Sequence, residues 1–137
     1  MDKMDTGNWC SYRLFREHCS FVNGVFVKDL SLCGRDLKDT IIVDNSPTSY
    51  MFQPECALPI LSWYEDLKDR ELYEMLPLLI EMSKIDDVRQ AIPKFVRNNT
   101  IDYNIAHRIV KSLVKSVEES PLKSIDNKED IIKPKTA

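Results

Sequence analysis

Two short apolar runs in this 137-residue chain break off into groups that can do chemistry. Residues 24–29 read GVFVKD and residues 41–45 read IIVDN, so one run ends at Lys28 and the other at Asp44 and Asn45. An ammonium, a carboxylate and an amide are the groups that hold a phosphoryl oxygen or a hard divalent cation. Arg16, in the charged cluster FREHC, is a further charged candidate. The set is incomplete, however. Magnesium usually takes one or two carboxylates together with substrate phosphate and water, whereas Asp44 and Asn45 offer one carboxylate and one amide oxygen, which is half a site. A lysine about 4 Å from a phosphoryl oxygen supplies about 4 kcal/mol at an effective dielectric of about 20, yet it is not a nucleophile.

Each of these residues also has a purely structural alternative. Asp and Asn at a strand exit commonly bond to their own backbone as turn formers. Lys28 can be a solvated strand end, Arg16 can pair with Glu17 or another surface carboxylate, and His18 can be a packed or solvated side chain.

The elements that must position these groups follow from periodicity. Asp5 to Asn8 is turn chemistry. Tyr12 to Phe15 and Phe21 to Val27 are aromatic and β-branched, with Asn23-Gly24 as the dipeptide a tight reversal prefers, so two short strands or a strand and a hairpin are expected. Twelve residues, Asp29 to Thr40, then separate the second run from Ile41, about the minimum for a crossover through a short helix between parallel strands. Ser46 is an expected N-cap, with Pro47 at the first helical position. Ala57 to Leu61 reads as a further strand that Pro59 confines to an edge or a terminus. Leu72, Met75, Leu76, Leu79 and Ile80 recur with a helical period, which Pro77 should kink or divide. A segment from Asp87 should stop near Pro93. Ile101, Ile105, Ile109 and Leu113, with Val110, Val114 and Val117, predict an amphipathic helix at 98–119, and 120–137 is polar and expected to be disordered. Strands alternating with helices predict an α/β fold with a parallel sheet. In open sheets of that kind ligands sit beyond the carboxyl ends of the strands, so neighbouring strands would bring Lys28, Asp44 and Asn45 together.

Composition excludes several functions. Net charge is −3, which gives no general attraction to nucleic acid or to an anionic membrane surface. No stretch approaches the roughly 20 apolar residues needed to span a bilayer, and MDKMDTGN is polar and acidic, with no basic run leading into an apolar stretch, so no leader peptide is expected. An intracellular protein, nuclear or cytoplasmic, is expected. Cys10, Cys19, Cys33 and Cys56 form no C-x-x-C pair, so reduced thiols are expected rather than a zinc site.

Five ordered segments carry a family resemblance: YRLFREHC (12–19), GVFVKDLSLCGRDL (24–37), IIVDNSPTSY (41–50), ILSWYEDLKDRELYEMLP (60–77) and DDVR (86–89). Together they resemble the small phosphatases of the RNA polymerase II C-terminal domain, also called NLI-interacting-factor-like phosphatases, of the haloacid dehalogenase superfamily. The resemblance implies a Rossmann-like sheet and magnesium-dependent hydrolysis of phosphoserine or phosphothreonine in proteins. An aspartate of a D-x-D-x-T motif attacks phosphorus in that family, and the motif's second aspartate serves as general acid and base. By the same resemblance, Lys28 steadies the phosphoryl group and the nucleophile, Asp44 and Asn45 help to hold magnesium, and Arg16 contacts substrate phosphate.

No D-x-D-x-T occurs in the 137 residues, and Asp36, Asp39 and Thr40 imitate it only with the wrong spacing and before the strand. The expectation is therefore the second half of such a domain over 1–97, a partial haloacid dehalogenase fold with an added C-terminal helix. Its open sheet would need a covering partner, since bare apolar edges aggregate. The expected activity is that of a protein phosphatase, inactive as this chain alone. The alternative is a degenerate phosphatase acting as a phosphopeptide- or partner-binding module.

Overall fold

A computed structural model describes residues 5–118, and the expected tail at 120–137 lies outside the described residues. The hairpin is the first regular element. Strands β1 (Ser20–Val22) and β2 (Val25–Val27) pair antiparallel, with Phe21 opposite Phe26. Asn23 and Gly24 both take positive φ, 50° and 84°, the backbone that a two-residue primed turn requires and that Asn-Gly adopts at low cost. Strands β3 (Ile42–Asp44) and β4 (Ala57–Pro59) pair parallel, Asp44 standing opposite Pro59. Pro59 closes β4, where its missing N–H interrupts no longer ladder.

The mixture of helices and strands agrees with an α/β class, but the sheet differs from the expected one. Among the described residues β1–β2 and β3–β4 are separate two-stranded sheets, so β2 and β3 are not ladder neighbours. The intervening segment holds two 3-10 turns, Leu30–Cys33 and Leu37–Asp39, instead of a crossover helix. Asp29 and Asp36 cap those turns through Asx bonds to Ser31 N and Lys38 N, and Gly34 ends the first at φ 66°. With a capping aspartate or a left-handed glycine every few residues, the stretch cannot run on as an α-helix. Tyr12 to Phe15, expected as a strand, is irregular and leads into a 3-10 turn at Arg16–His18.

Helix α1 (Glu71–Met82) runs through Pro77 as one helix, so the proline does not start a second one. The buried face is also not the expected set. Met75, Leu78 and Met82 are fully enclosed, while Leu72, Leu76 and Ile80 are exposed. A 3-10 turn at Val88–Gln90 leads to a single helical turn, α2 (Ile92–Phe95), which carries Pro93 in its first turn where an end was expected. A second hairpin, β5 (Val96–Arg97) with β6 (Thr100–Ile101), turns on Asn98 and Asn99 at φ 50° and 57°. Helix α3 (Tyr103–Glu118) follows; it begins five residues later than the expected 98, because Asn98 to Ile101 are taken up by the hairpin, and it runs to the last described residue. Asp102 caps it, its carboxylate accepting from Ile105 N at 3.0 Å.

The core forms where α1, α2, β4 and α3 meet: Leu58, Met75, Leu78, Met82, Ile92, Phe95, Ala106 and Val110 are each 1% exposed or less. Glu81 links α1 to α3, with His107 Nδ1 at 2.7 Å and Lys111 Nζ at 3.7 Å. A smaller cluster of Leu30, Ile42, Tyr50, Cys56 and Ala57 lies under the 3-10 turns. Apolar surface remains open elsewhere, at Trp9, Tyr12, Phe21, Trp63, Tyr64 and Leu67 among others. No helix of the described residues is long and apolar enough to cross a membrane.

Candidate functional site

The carboxylate of Asp44 is the buried polar group at the end of β3, its side chain 5% exposed. Burial of a charge is costly unless it is paired and hydrogen-bonded, and both oxygens are engaged. Oδ1 accepts from Ser46 N at 2.8 Å, and Oδ2 receives the Lys28 ammonium. Asp44 is thus the turn former that its type allows and also the counter-ion of Lys28. Ser46 makes no side-chain cap; the Asx bond of Asp44 takes that place at the entrance to the 3-10 turn Pro47–Tyr50.

Lys28 reaches Asp44 by tertiary packing instead of a shared ladder. Its N–H donates to Ser49 O at 2.7 Å, which clamps the end of β2 against the Pro47–Tyr50 turn. A buried amide supports the clamp from behind. Gln53 Nε2 donates to Asp29 Oδ1 at 2.9 Å, and Gln53 Oε1 accepts from Leu30 N at 3.1 Å. The hydrogen bond from the Ser31 hydroxyl holds the Asp29 carboxyl below its ordinary value. On the far side of the turn, Tyr50 is buried and its hydroxyl donates to Asn99 Oδ1, tying the turn to the second hairpin. Burial, with the nearby Asp44 charge adding to it, pushes that phenol up.

Arg16 and Lys28 line one cleft of about 800 Å³, together with Phe15, Phe26, Ser46 and Ser49. The Arg16 guanidinium lies over the Phe26 ring, its Cζ 3.9 Å from the centroid. It makes no ion pair with Glu17 or with any other described residue. A guanidinium against an aromatic ring and an ammonium anchored by Asp44 thus line the same cleft, together with the Asp29 carboxylate, and their N–H donors suit an oxyanion. His18 is a structural residue here: its Nδ1 accepts from Phe15 N at 2.9 Å and closes the turn that carries Arg16.

Asn45 is exposed beside Asp44, and its amide donates to Ser62 Oγ at 2.7 Å. As a magnesium site the pair is partial, because both Asp44 oxygens are already engaged and Asn45 adds a single amide oxygen. Among the described residues no group of three His, Cys, Asp or Glu side chains could hold a metal. The thiols of Cys10, Cys19, Cys33 and Cys56 are free, and burial pushes Cys56 up to about 11.

Lys28, Asp44 and Arg16 are therefore brought together, with Asn45 at their margin. Sequence reasoning missed Phe26, Ser49 and Gln53. Phe26 had a signal: it stands two residues before Lys28, on the same side of an extended chain, while Val27 between them is fully buried. Gln53 had none, since nothing in QPEC marks an amide for burial.

Comparison with known proteins gives this arrangement a context. A family model described as NLI interacting factor-like phosphatase matches residues 1–89, ending before α2 and α3. A protein of Dictyostelium discoideum named probable C-terminal domain small phosphatase is 57% identical over 99 residues, covering 72% of this chain and 32% of that protein. Carboxy-terminal domain RNA polymerase II polypeptide A small phosphatase 2 of Mus musculus is 55% identical over 76 residues, 56% of this chain and 28% of its own. The corresponding small phosphatase 1 of Homo sapiens is 47% identical over 87 residues, 64% and 33%. The chain spans about a third or less of the length of these relatives. With Arg16, Lys28, Asp44 and Asn45 all inside a match that covers well over half of its residues, the chain belongs to the NLI interacting factor-like phosphatase family.

Proposed function

We propose that this chain is the phosphate-holding second half of a protein serine/threonine phosphatase of the haloacid dehalogenase type. Its substrates are phosphoserine or phosphothreonine in proteins such as the RNA polymerase II C-terminal domain. The observation that carries the reading is the shared cleft, lined both by Arg16, which has no ion pair among the described residues, and by Asp44-anchored Lys28. The names of the mouse and human relatives support the substrate class.

In this reading Arg16 takes the non-bridging oxygens of the substrate phosphate. Lys28 offsets the charge that accumulates on the phosphoryl group, and Asp44 keeps the ammonium in place. The attacking and acid–base aspartates come from outside these 137 residues, since no D-x-D-x-T is present. Magnesium, when bound, neutralises charge on phosphoryl oxygens; Asn45 and Asp44 are this chain's share of its ligands. The exposed apolar surface around Trp9, Phe21 and Trp63 is where the covering half packs.

Hydrolysis of phosphate monoesters needs some of the largest enzymatic accelerations known, so positioning without a nucleophile gives no useful turnover. The isolated chain, assayed with an aryl phosphate and magnesium, is expected to release no phosphate, and addition of the upstream half is expected to restore release. Robust turnover by the 137 residues alone would refute these roles.

A second reading is a degenerate phosphatase that binds phosphopeptide or a partner without cleaving it. A cleft lined by Arg16 and Lys28 in a sequence without the nucleophile motif favours it. Phosphoserine-peptide binding that depends on Arg16, combined with no phosphate release even when the upstream half is supplied, would select this reading.

A further inference from the structure

Arginine side chains are long and sample many rotamers, so a phosphate-binding arginine in an exposed turn loses freedom when its ligand arrives unless something already holds it. Arg16 sits in such a turn, between exposed neighbours, and among the described residues its guanidinium has neither an ion pair nor a hydrogen bond. What holds it is the face of Phe26, 3.9 Å from Cζ to centroid. Phe26 is braced in turn by its cross-strand partner Phe21, with centroids 4.9 Å apart and planes inclined at 50°. The Asn23-Gly24 turn fixes that pair in register. The ring contact uses none of the guanidinium's in-plane N–H donors for a hydrogen bond, and those are the groups a phosphate takes bidentately.

We propose that Phe26 is a positioning residue for phosphate recognition: the Phe21–Phe26 pair holds the Arg16 guanidinium against the cleft wall, ready for an incoming phosphoryl group. The inference rests on the reading of Arg16 as the phosphate contact. It predicts an aromatic requirement at position 26 that hairpin stability alone does not impose, because leucine also fits a half-exposed strand position.

The test uses the full chain, with NMR detection of the Arg16 side-chain resonances and titration by a phosphoserine peptide at fixed salt. Phe26→Leu is expected to weaken binding about fivefold, the scale of an exposed cation–π contact. Phe26→Tyr and Phe26→Trp are expected to bind as the parent does or more tightly. Without ligand, the ring-current shift of the Arg16 Nε–H should vanish in Phe26→Leu and persist in Phe26→Trp, while the amide shifts of the hairpin stay in place. Equal binding by Phe26→Leu and the parent, with Arg16→Ala losing it, would overturn the positioning role and leave the phosphate reading intact. Unchanged binding in Arg16→Ala, or no binding by the parent, would overturn the phosphate reading and the proposal with it. If Phe26→Leu loses the hairpin shifts, the tyrosine and tryptophan variants decide: binding that falls in both despite an intact hairpin refutes the stack.

Discussion

Lys28→Met tests how much the site depends on its internal ion pair. The Asp44 side chain is 5% exposed, whereas that of Lys28 is 53% exposed. Removing one partner of a fully buried pair costs about 3–5 kcal/mol, because the other charge is left uncompensated; exposed pairs are worth about 0–1 kcal/mol. This pair lies between the limits. Asp44 cannot regain its hydration, but water can reach the place the ammonium leaves, and the Ser46 N–H still serves Oδ1. A loss of about 2 kcal/mol is therefore expected for Lys28→Met. For Asp44→Asn the expected loss is about 1 kcal/mol, since the amide oxygen can still accept from Ser46 and the freed ammonium is largely in water. The double variant should lose about 1 kcal/mol less than the sum of the two. Urea unfolding followed by circular dichroism measures all four corners of the cycle, with midpoints shifting and slopes unchanged. Raising the salt to about 1 M, where the screening length is about 3 Å, should shrink the coupling only partly, because one member is buried. Additivity within about 0.3 kcal/mol would refute the claim that Lys28 and Asp44 stabilise each other at the strand end.

Three further outcomes are expected. Phe95→Ala, at a side chain 1% exposed between α1 and α3, should cost about 3–5 kcal/mol in urea or thermal unfolding, whereas Leu72→Ser on the open face of α1 should stay within about 0.5 kcal/mol. In thiol titration with an aromatic disulfide reagent, exposed Cys10 and Cys33 should react promptly and Cys56 only as the chain unfolds, since burial pushes its thiol up to about 11; prompt reaction of all four thiols would contradict its burial. Asp87 is held below its ordinary 3.8 chiefly by side-chain hydrogen bonds from Arg89, so its contribution to stability is present above 3.8 and is lost as the pH falls through the lowered native value; Asp87→Asn should flatten that part of the acid profile, measured as urea midpoint against pH.

Local chemistry was legible wherever neighbours in sequence settle the outcome. Asn23-Gly24 states its own hairpin, because few other dipeptides accept positive φ at both positions. The α3 stripe states its helix, and IIVDN ends a strand on a carboxylate with or without its tertiary partner. Lys28, Asp44, Asn45 and Arg16 could all be named as site candidates from their types, their places at element ends and the segments they share with the family.

Tertiary packing decided how those pieces meet. The apolar residues of α1 form two stripes, one through Leu72, Leu76 and Ile80 and the other through Met75, Leu78 and Met82, and helical period cannot choose between them. Contact with α2 and α3 does, burying the second. Lys28 was expected at Asp44 through adjacent strands; instead Ser49 O and the buried Gln53 bring it there, and neither carries a sequence mark, since a backbone carbonyl is common to every residue and glutamine is usually solvated. Pairing of side chains 16 residues apart in the chain depends on where whole elements dock, and that is fixed by the sum of many apolar contacts that no short stretch of sequence contains.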